Sequence, residues 1–325
     1  MVKLAVISEE TVCTIVSRQL AFDAVRSAFE AVAVDRSKVF DVVIGTGLNY
    51  GEAFAIKSGL DGENEMVGFK CGTYWVGNND KGLPSHGSTI LLLDPETGFP
   101  QVLVSASYLN GYRTAAANAV AVSSLARPDA AVLGVIGAGQ QAEQEIRAVA
   151  EVRELSLIKI STRSEARANW IADRLADVDI DIRLTSAEEA VRGSDIVVTV
   201  TPSESPLVRN EWIEEGMHIS AMGADDYGKN ELDTAILKRA RLFADYPRQS
   251  IVIGEYQTAY ADGIIKPADD ICALGLVTLG KSPGRTSDTE ITVFDSSGIA
   301  VQDLAVAGAI FEAAKNLNQV RYIDF

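Results

Sequence analysis

The stretch Val132-Leu133-Gly134-Val135-Ile136-Gly137-Ala138-Gly139-Gln140-Gln141-Ala142-Glu143 decides the fold. An apolar run passes straight into Gly-x-Gly-x-x-Ala and then into residues 140–147, of helical composition. That is the strand, tight turn and helix opening of a dinucleotide fold. The small residues act in different ways. Gly137 permits the turn, Gly139 lets the backbone approach a pyrophosphate, and Ala142 lets helix pack closely on strand. Free N–H groups and the dipole at the helix start attract phosphate charge. A glycine-rich turn alone is a weak signal; its strand-to-helix setting points to dinucleotide binding.

Beyond this turn, strand-like and helix-like runs alternate. Strands are expected at 155–161, 180–184, 195–201, 216–222, 242–245 and 289–295, with helices at 165–176 and 187–192. Such alternation predicts a doubly wound parallel sheet, a Rossmann domain. After Gly298, the spacing of Ile299, Val301, Leu304, Val306, Ala309 and Ile310 predicts a helix that returns the chain to a first domain.

That first domain reads differently. Residues 3–8 suggest a strand, Ser8-Glu9-Glu10 a helix start, and Leu20, Phe22, Val25, Phe29 and Val32 one amphipathic helix ending near Asp35. Short β-like runs follow at 39–44, 52–58, 66–71, 73–76, 88–93 and 101–105, with a turn at Asp94-Pro95-Glu96-Thr97-Gly98. They predict a mostly antiparallel sheet. A helix at 107–125 then bridges into the glycine turn. The expected class is α/β: an α+β domain at 1–113, completed by 302–325, and a Rossmann domain at 114–301.

The 325 residues carry 29 basic and 45 acidic side chains, a net charge of −16, with 47% hydrophobic residues. That charge repels nucleic acid and anionic membranes, and no apolar run reaches the ~18 residues that span a bilayer. The start of the chain lacks a signal peptide's apolar region, so the expectation is the cytoplasm. Cys13, Cys71 and Cys272 are odd in number and scattered, suggesting neither disulfides nor a zinc cluster. With only His86 and His218, a histidine triad or metal site is hard to build, so no metal is expected. Lysine, arginine and aspartate must carry the chemistry.

Cofactor choice falls at the end of the second Rossmann strand, where an acid would bind the ribose hydroxyls of NAD. Here Ile160-Ser161-Thr162-Arg163-Ser164 has no acid, and Arg163 with its hydroxyl neighbours suits a phosphate. This favours NADP, with NAD as the alternative. Thr199-Val200-Thr201-Pro202 and Ala221-Met222-Gly223-Ala224-Asp225-Asp226 end later strands at the same edge, where Asp225 could move a proton. Lys57 and Lys70 end two apolar β-like runs; each ammonium either snorkels to solvent or serves an anion. His86 is either a pocket donor or a satisfied core histidine, and His218, inside an apolar strand, is structural.

As a set, these residues resemble the ornithine cyclodeaminase and mu-crystallin family over essentially the whole chain. The motifs are Gly68-Phe69-Lys70, Gly82-Leu83-Pro84-Ser85-His86, Leu92-Leu93-Asp94-Pro95-Glu96-Thr97-Gly98, Tyr112-Arg113-Thr114-Ala115-Ala116, the glycine turn, Gly223-Ala224-Asp225-Asp226-Tyr227-Gly228-Lys229-Asn230-Glu231-Leu232, and Thr292-Val293-Phe294-Asp295-Ser296-Ser297-Gly298. The resemblance implies a homodimer formed by the N-terminal domain, which also lends the substrate site. It implies that Lys70 holds the substrate carboxylate and that Asp225 exchanges a proton with the substrate nitrogen. Ser85, Arg113, Gln140, Gln141, Thr162, Thr201, Met222, Lys229 and Ser296 would contact the cofactor, and Ser297 would border the substrate.

One position departs from the family. An arginine that usually forks onto the carboxylate has its nearest counterpart in Lys38-Val39-Phe40, and lysine cannot reproduce a bidentate grip. Either Lys38 substitutes or Lys57 takes over. The run 54–59 with Gly72-Thr73-Tyr74-Trp75 is most similar to members that reduce iminosuccinate to aspartate, and an additional lysine suits a second carboxylate. The expected activity is therefore NAD(P)H-dependent reduction of a small anionic 2-imino acid. A cyclodeaminase and a non-catalytic NADP-binding protein of the mu-crystallin type are the alternatives.

Overall fold

The structure is a computed structural model that describes residues 3–266 and 270–325. In chain order its elements begin β1 (Lys3–Ile7), α1 (Glu9–Ile15), α2 (Arg18–Ala33), β2 (Lys38–Val39), β3 (Val43–Thr46) and β4 (Ala53–Asp61). Then come β5 (Met66–Tyr74), β6 (His86–Leu93), β7 (Pro100–Ser105), α3 (Ser107–Leu125), β8 (Val132–Ile136), α4 (Gln140–Val152), β9 (Leu157–Ser161) and α5 (Glu165–Arg174). There follow β10 (Asp181–Thr185), α6 (Ala187–Val191), β11 (Ile196–Thr199), β12 (His218–Ala221), α7 (Thr234–Leu237), β13 (Arg241–Ala244), α8 (Pro247–Ile253) and α9 (Gln257–Ala261). The chain closes with β14 (Ile271–Ala273), α10 (Leu274–Thr278), β15 (Thr292–Asp295), α11 (Ala300–Asn316) and β16 (Arg321–Asp324). Among the described residues no helix is long and apolar enough to cross a membrane. Contacts gather the chain into two units, Met1–Arg113 with Ile299–Phe325, and Thr114–Gly298.

The first unit is built on a mixed sheet in the order β16-β1-β7-β6-β5-β4-β2, with β3 also on β4. All its pairings are antiparallel except β1 with β7. The helical stretch expected to run unbroken to Asp35 is two helices: Val16 is extended, and Ser17 starts α2 by accepting from Leu20 N at 3.1 Å. The expected strands at 66–71 and 73–76 are one, β5, while 39–44 divides between β2 and β3. Lys57 and Lys70 consequently sit inside strands rather than at their ends.

On the sheet face that α11 covers, β4 buries Lys57, Gly59 and Asp61, and β5 buries Gly68 and Lys70. Gly59 lies opposite Gly68, and Lys57 opposite Lys70. A Cβ on Gly68 would stand 3.2 Å from Leu304 Cδ2, and one on Gly59 3.3 Å from Val301 Cγ2. The absence of side chains there lets α11 approach, which brings its polar residues to the two lysines.

The second unit carries a sheet in which every pairing is parallel, ordered β10-β9-β8-β11-β12-β15-β13-β14. This is the doubly wound Rossmann arrangement, with the direction of winding reversing between β8 and β11, where such sheets bind ligands at their carboxyl ends. Strands β11, β12 and β15 are buried throughout, as covering on both faces requires. His218, in β12, is structural: its ring bridges Thr292 Oγ1 at 2.9 Å and Ser220 Oγ at 3.0 Å. Burial, then Arg285 and Arg153, press its pKa to about 3, so it stays neutral.

Candidate active site

In the second unit the candidate residues collect at the carboxyl ends of adjacent parallel strands. Gly137, after β8, has φ +123, a left-handed conformation that favours glycine, and a Cβ there would stand 2.8 Å from Val200 O. Gly139 precedes α4 without a side-chain cap, and a Cβ built on it would have no neighbour within 4 Å. The open side of Gly139, the uncapped N–H groups of α4 and the fully buried Ala142 fit a dinucleotide's pyrophosphate. Gln140 is exposed, and Gln141 donates to Glu145 Oε1 at 2.7 Å. After β9, Thr162 is half-buried and Arg163 exposed.

The next two strand ends are tied together by a carboxylate that the sequence reading missed. Glu231 is fully buried and accepts from Thr199 Oγ1 (2.8 Å), from Thr201 N and Oγ1 (2.7 Å each) and from Gly223 N (2.9 Å). Burial pushes its pKa up, opposed by those hydrogen bonds. Glu255 braces the segment in turn, accepting from Asn230 Nδ2 and from the backbone of Glu231 and Leu232. The loop so anchored presents Asp225, whose side chain is 53% exposed, with its Oδ1 2.6 Å from Lys229 Nζ. Burial pushes the Lys229 pKa down, but the charge and hydrogen bond of Asp225, joined by the charges of Asp226 and Glu231, outweigh it, and the net shift is upward. Met222 is buried beside Gly223. Ser296 and Ser297, after β15, both donate to Asp245, at 3.4 and 3.0 Å.

In the first unit, Lys70 is at the centre of a buried ionic cluster. Its Nζ lies 2.9 and 2.8 Å from the two oxygens of Asp303 and donates to Asn110 Oδ1 at 3.1 Å. Arg113 reaches the same acid through Nε at 2.8 Å, Asn110 through Nη2 at 3.0 Å and Gln302 Oε1 through Nη1 at 3.2 Å. Lys57 is buried opposite Lys70 and acts electrostatically on both Lys70 and Asp303. Burial first, then Arg113 and Lys57, lower the Lys70 pKa to about 7 against the opposing pull of Asp303. Three cationic side chains thus gather around one carboxylate, an arrangement ready to accept further anionic oxygens.

The remaining candidates lie elsewhere in that unit. Lys38 is exposed and opposite Leu60, whose neighbours Gly59 and Asp61 face the other way with Lys57. Ser85 is half-buried, and its carbonyl accepts from Trp75 N at 2.8 Å. His86 is not a core histidine: it is exposed at the start of β6 and packs against Tyr74, ring centroids 4.8 Å apart. Asp303, Gln302 and Asn110 were missed. The available signal was a Gln-Asp pair in the first turn of a helix that is apolar from Leu304 to Phe311, since buried polar groups need partners.

The ornithine cyclodeaminase/mu-crystallin family model matches residues 5–318. The chain belongs to that family. It is 37% identical over 321 residues to the iminosuccinate reductase of Paracoccus denitrificans, covering 99% of this chain and 100% of that one. The crystal structure of the Paracoccus denitrificans iminosuccinate reductase in complex with NAD+ matches with a TM-score of 0.94 at 35% identity, over 100% of both chains. An archaeal alanine dehydrogenase dimer with bound NAD matches with a TM-score of 0.93 at 36% identity, again over 100% of both. Within the ornithine cyclodeaminase/mu-crystallin family, these similarities point toward nicotinamide-dependent oxidoreductases acting on C=N and CH–NH2 bonds.

Proposed function

We propose that this chain is an NAD(P)H-dependent imine reductase that converts a small dicarboxylic 2-imino acid, iminosuccinate, into aspartate. The observation that carries the reading is the buried pair Lys57 and Lys70, set opposite one another on β4 and β5. Like charges in register are unfavourable, and burial raises the cost, so the arrangement suits a ligand bearing more than one carboxylate. The full-length similarity to an iminosuccinate reductase agrees with it.

When bound, the reduced nicotinamide supplies a hydride to the imine carbon. Lys70, assisted by Lys57 in place of the family's arginine, orients the substrate by its carboxylates. Asp225 passes the nitrogen a proton that its carboxylate takes from the hydrogen-bonded Lys229 ammonium. Hydride and proton together convert C=N to CH–NH. Ser297 borders the substrate, while Ser85, Arg113, Gln140, Gln141, Thr162, Thr201, Met222 and Ser296 serve the cofactor. The first unit forms a homodimer: Leu48 and Tyr50 are fully exposed, with Val43, Val76 and Leu83 also outward, and an archaeal relative is a dimer.

The purified chain is expected to oxidise NAD(P)H with oxaloacetate plus ammonia in preference to pyruvate plus ammonia. No turnover with any 2-oxo acid combined with ammonia or methylamine would sink the reading. Ammonia released from ornithine without net change in nicotinamide absorbance would replace it with a cyclodeaminase.

NADP(H) is the preferred cofactor, because no acid follows β9 and Arg163 is exposed there. Removing the guanidinium by Arg163→Ala should lower the NADPH-to-NADH ratio of kcat/KM roughly tenfold, the range of one charge-assisted hydrogen bond. A wild-type chain that uses NADH equally well contradicts the preference.

A further inference from the structure

Gln302 lies in the first turn of α11 and is fully buried, yet only one side of its amide is used. Its Oε1 accepts from Arg113 Nη1 at 3.2 Å. Among the described residues, its Nε2 has no hydrogen-bond partner although that atom is shut off from solvent. The orientation has a cause. A guanidinium offers donors only, so the amide oxygen must face Arg113 and the NH2 group must turn away. Buried donors without acceptors are few in folded proteins, and each calls for an explanation.

The surroundings define what the missing acceptor is. Arg113 shares Asp303 and Asn110 with Lys70, and Gln302 precedes Asp303 in the chain. The idle NH2 group therefore belongs to a cluster already rich in donors, where a carboxylate oxygen is the best-suited acceptor. A neutral amide adds a hydrogen bond there without adding another buried charge.

We propose that Gln302 is a specificity-determining residue whose Nε2 donates to a carboxylate oxygen of the substrate held at Lys70. The proposal rests on the reading that the substrate is a small amino or imino acid. It also accounts for glutamine at this position. A glutamate would offer Arg113 a stronger acceptor but would direct a second oxygen anion at the substrate's own carboxylate.

The test is calorimetric binding of L-aspartate to the full chain in the presence of saturating reduced nicotinamide nucleotide, so that no reaction occurs. Wild type is compared with Gln302→Glu and Gln302→Met, and melting temperatures are recorded alongside. Aspartate should bind at least about tenfold more weakly to both variants, with the Glu variant melting no lower than wild type and nucleotide affinity retained. Equal aspartate affinity in all three proteins overturns the proposal. So does a loss of affinity matched by lost nucleotide binding and a lower melting temperature, which marks a packing role. A wild-type chain that binds aspartate but reduces no imine removes the functional reading and leaves Gln302's role standing; one that binds no aspartate removes both.

Discussion

Asp225→Asn is expected to lower turnover by roughly 10²- to 10⁴-fold, the usual contribution of a positioned general acid or base. Binding of the nicotinamide nucleotide should be nearly unchanged. Asparagine is isosteric and keeps an oxygen for Lys229, and the loop is anchored from beneath by Glu231, so the fold has no reason to move. What the substitution removes is the exchangeable proton. Steady-state rates measured beside nucleotide affinity separate these effects, and turnover at the wild-type rate would refute the role given to Asp225.

Lys70→Met comes next in size. The replacement fills similar volume while deleting the ammonium, and Asp303 keeps Arg113 at 2.8 Å, so the acid is not left without a cation. Truncating one partner of a buried, hydrogen-bonded charge pair costs about 2–5 kcal/mol. The expected fall in kcat/KM is therefore roughly 30- to several thousand-fold, carried mainly by KM. An unaltered KM for the imino acid would place the substrate elsewhere. The same group sets a pH limb: with a pKa near 7 in the free protein, its grip on a carboxylate should weaken as pH rises through that value. The effect on stability has the opposite sign. An unfolded lysine keeps its proton up to its ordinary pKa of 10.5, so between about 7 and that value the unfolded chain binds more protons and the folded state gains stability with rising pH.

Much of this architecture can be read from local pattern. The turn at Gly137 and the alternation after it specify a parallel sheet because glycine geometry and apolar runs are properties of neighbouring residues. Strand β16 escaped for a physical reason: all four of its residues are exposed, so no buried face imposes an alternating pattern. The break between α1 and α2 depended on Ser17, a cap hidden within an otherwise continuous helical composition. Lys70 and Asp225 were legible as charges where charges are costly or useful. Their partners were less so: Lys70 and Asp303 are separated by 233 positions, a pairing that no local spacing can encode. Strand register, which sets Lys57 opposite Lys70 and Lys38 opposite Leu60, is likewise absent from local pattern.

The distance in sequence between α11 and the strands it covers has a consequence for biosynthesis. Residues 1–113 leave the ribosome well before α11, which carries the acid that neutralises Lys70. Until that helix emerges, β4 and β5 lack the cover for their inner face, while Thr114–Gly298 is already complete. The unit begun before residue 114 thus closes after the one that follows it, and a nascent chain cut short before residue 299 would present an unfinished sheet to chaperones and proteases.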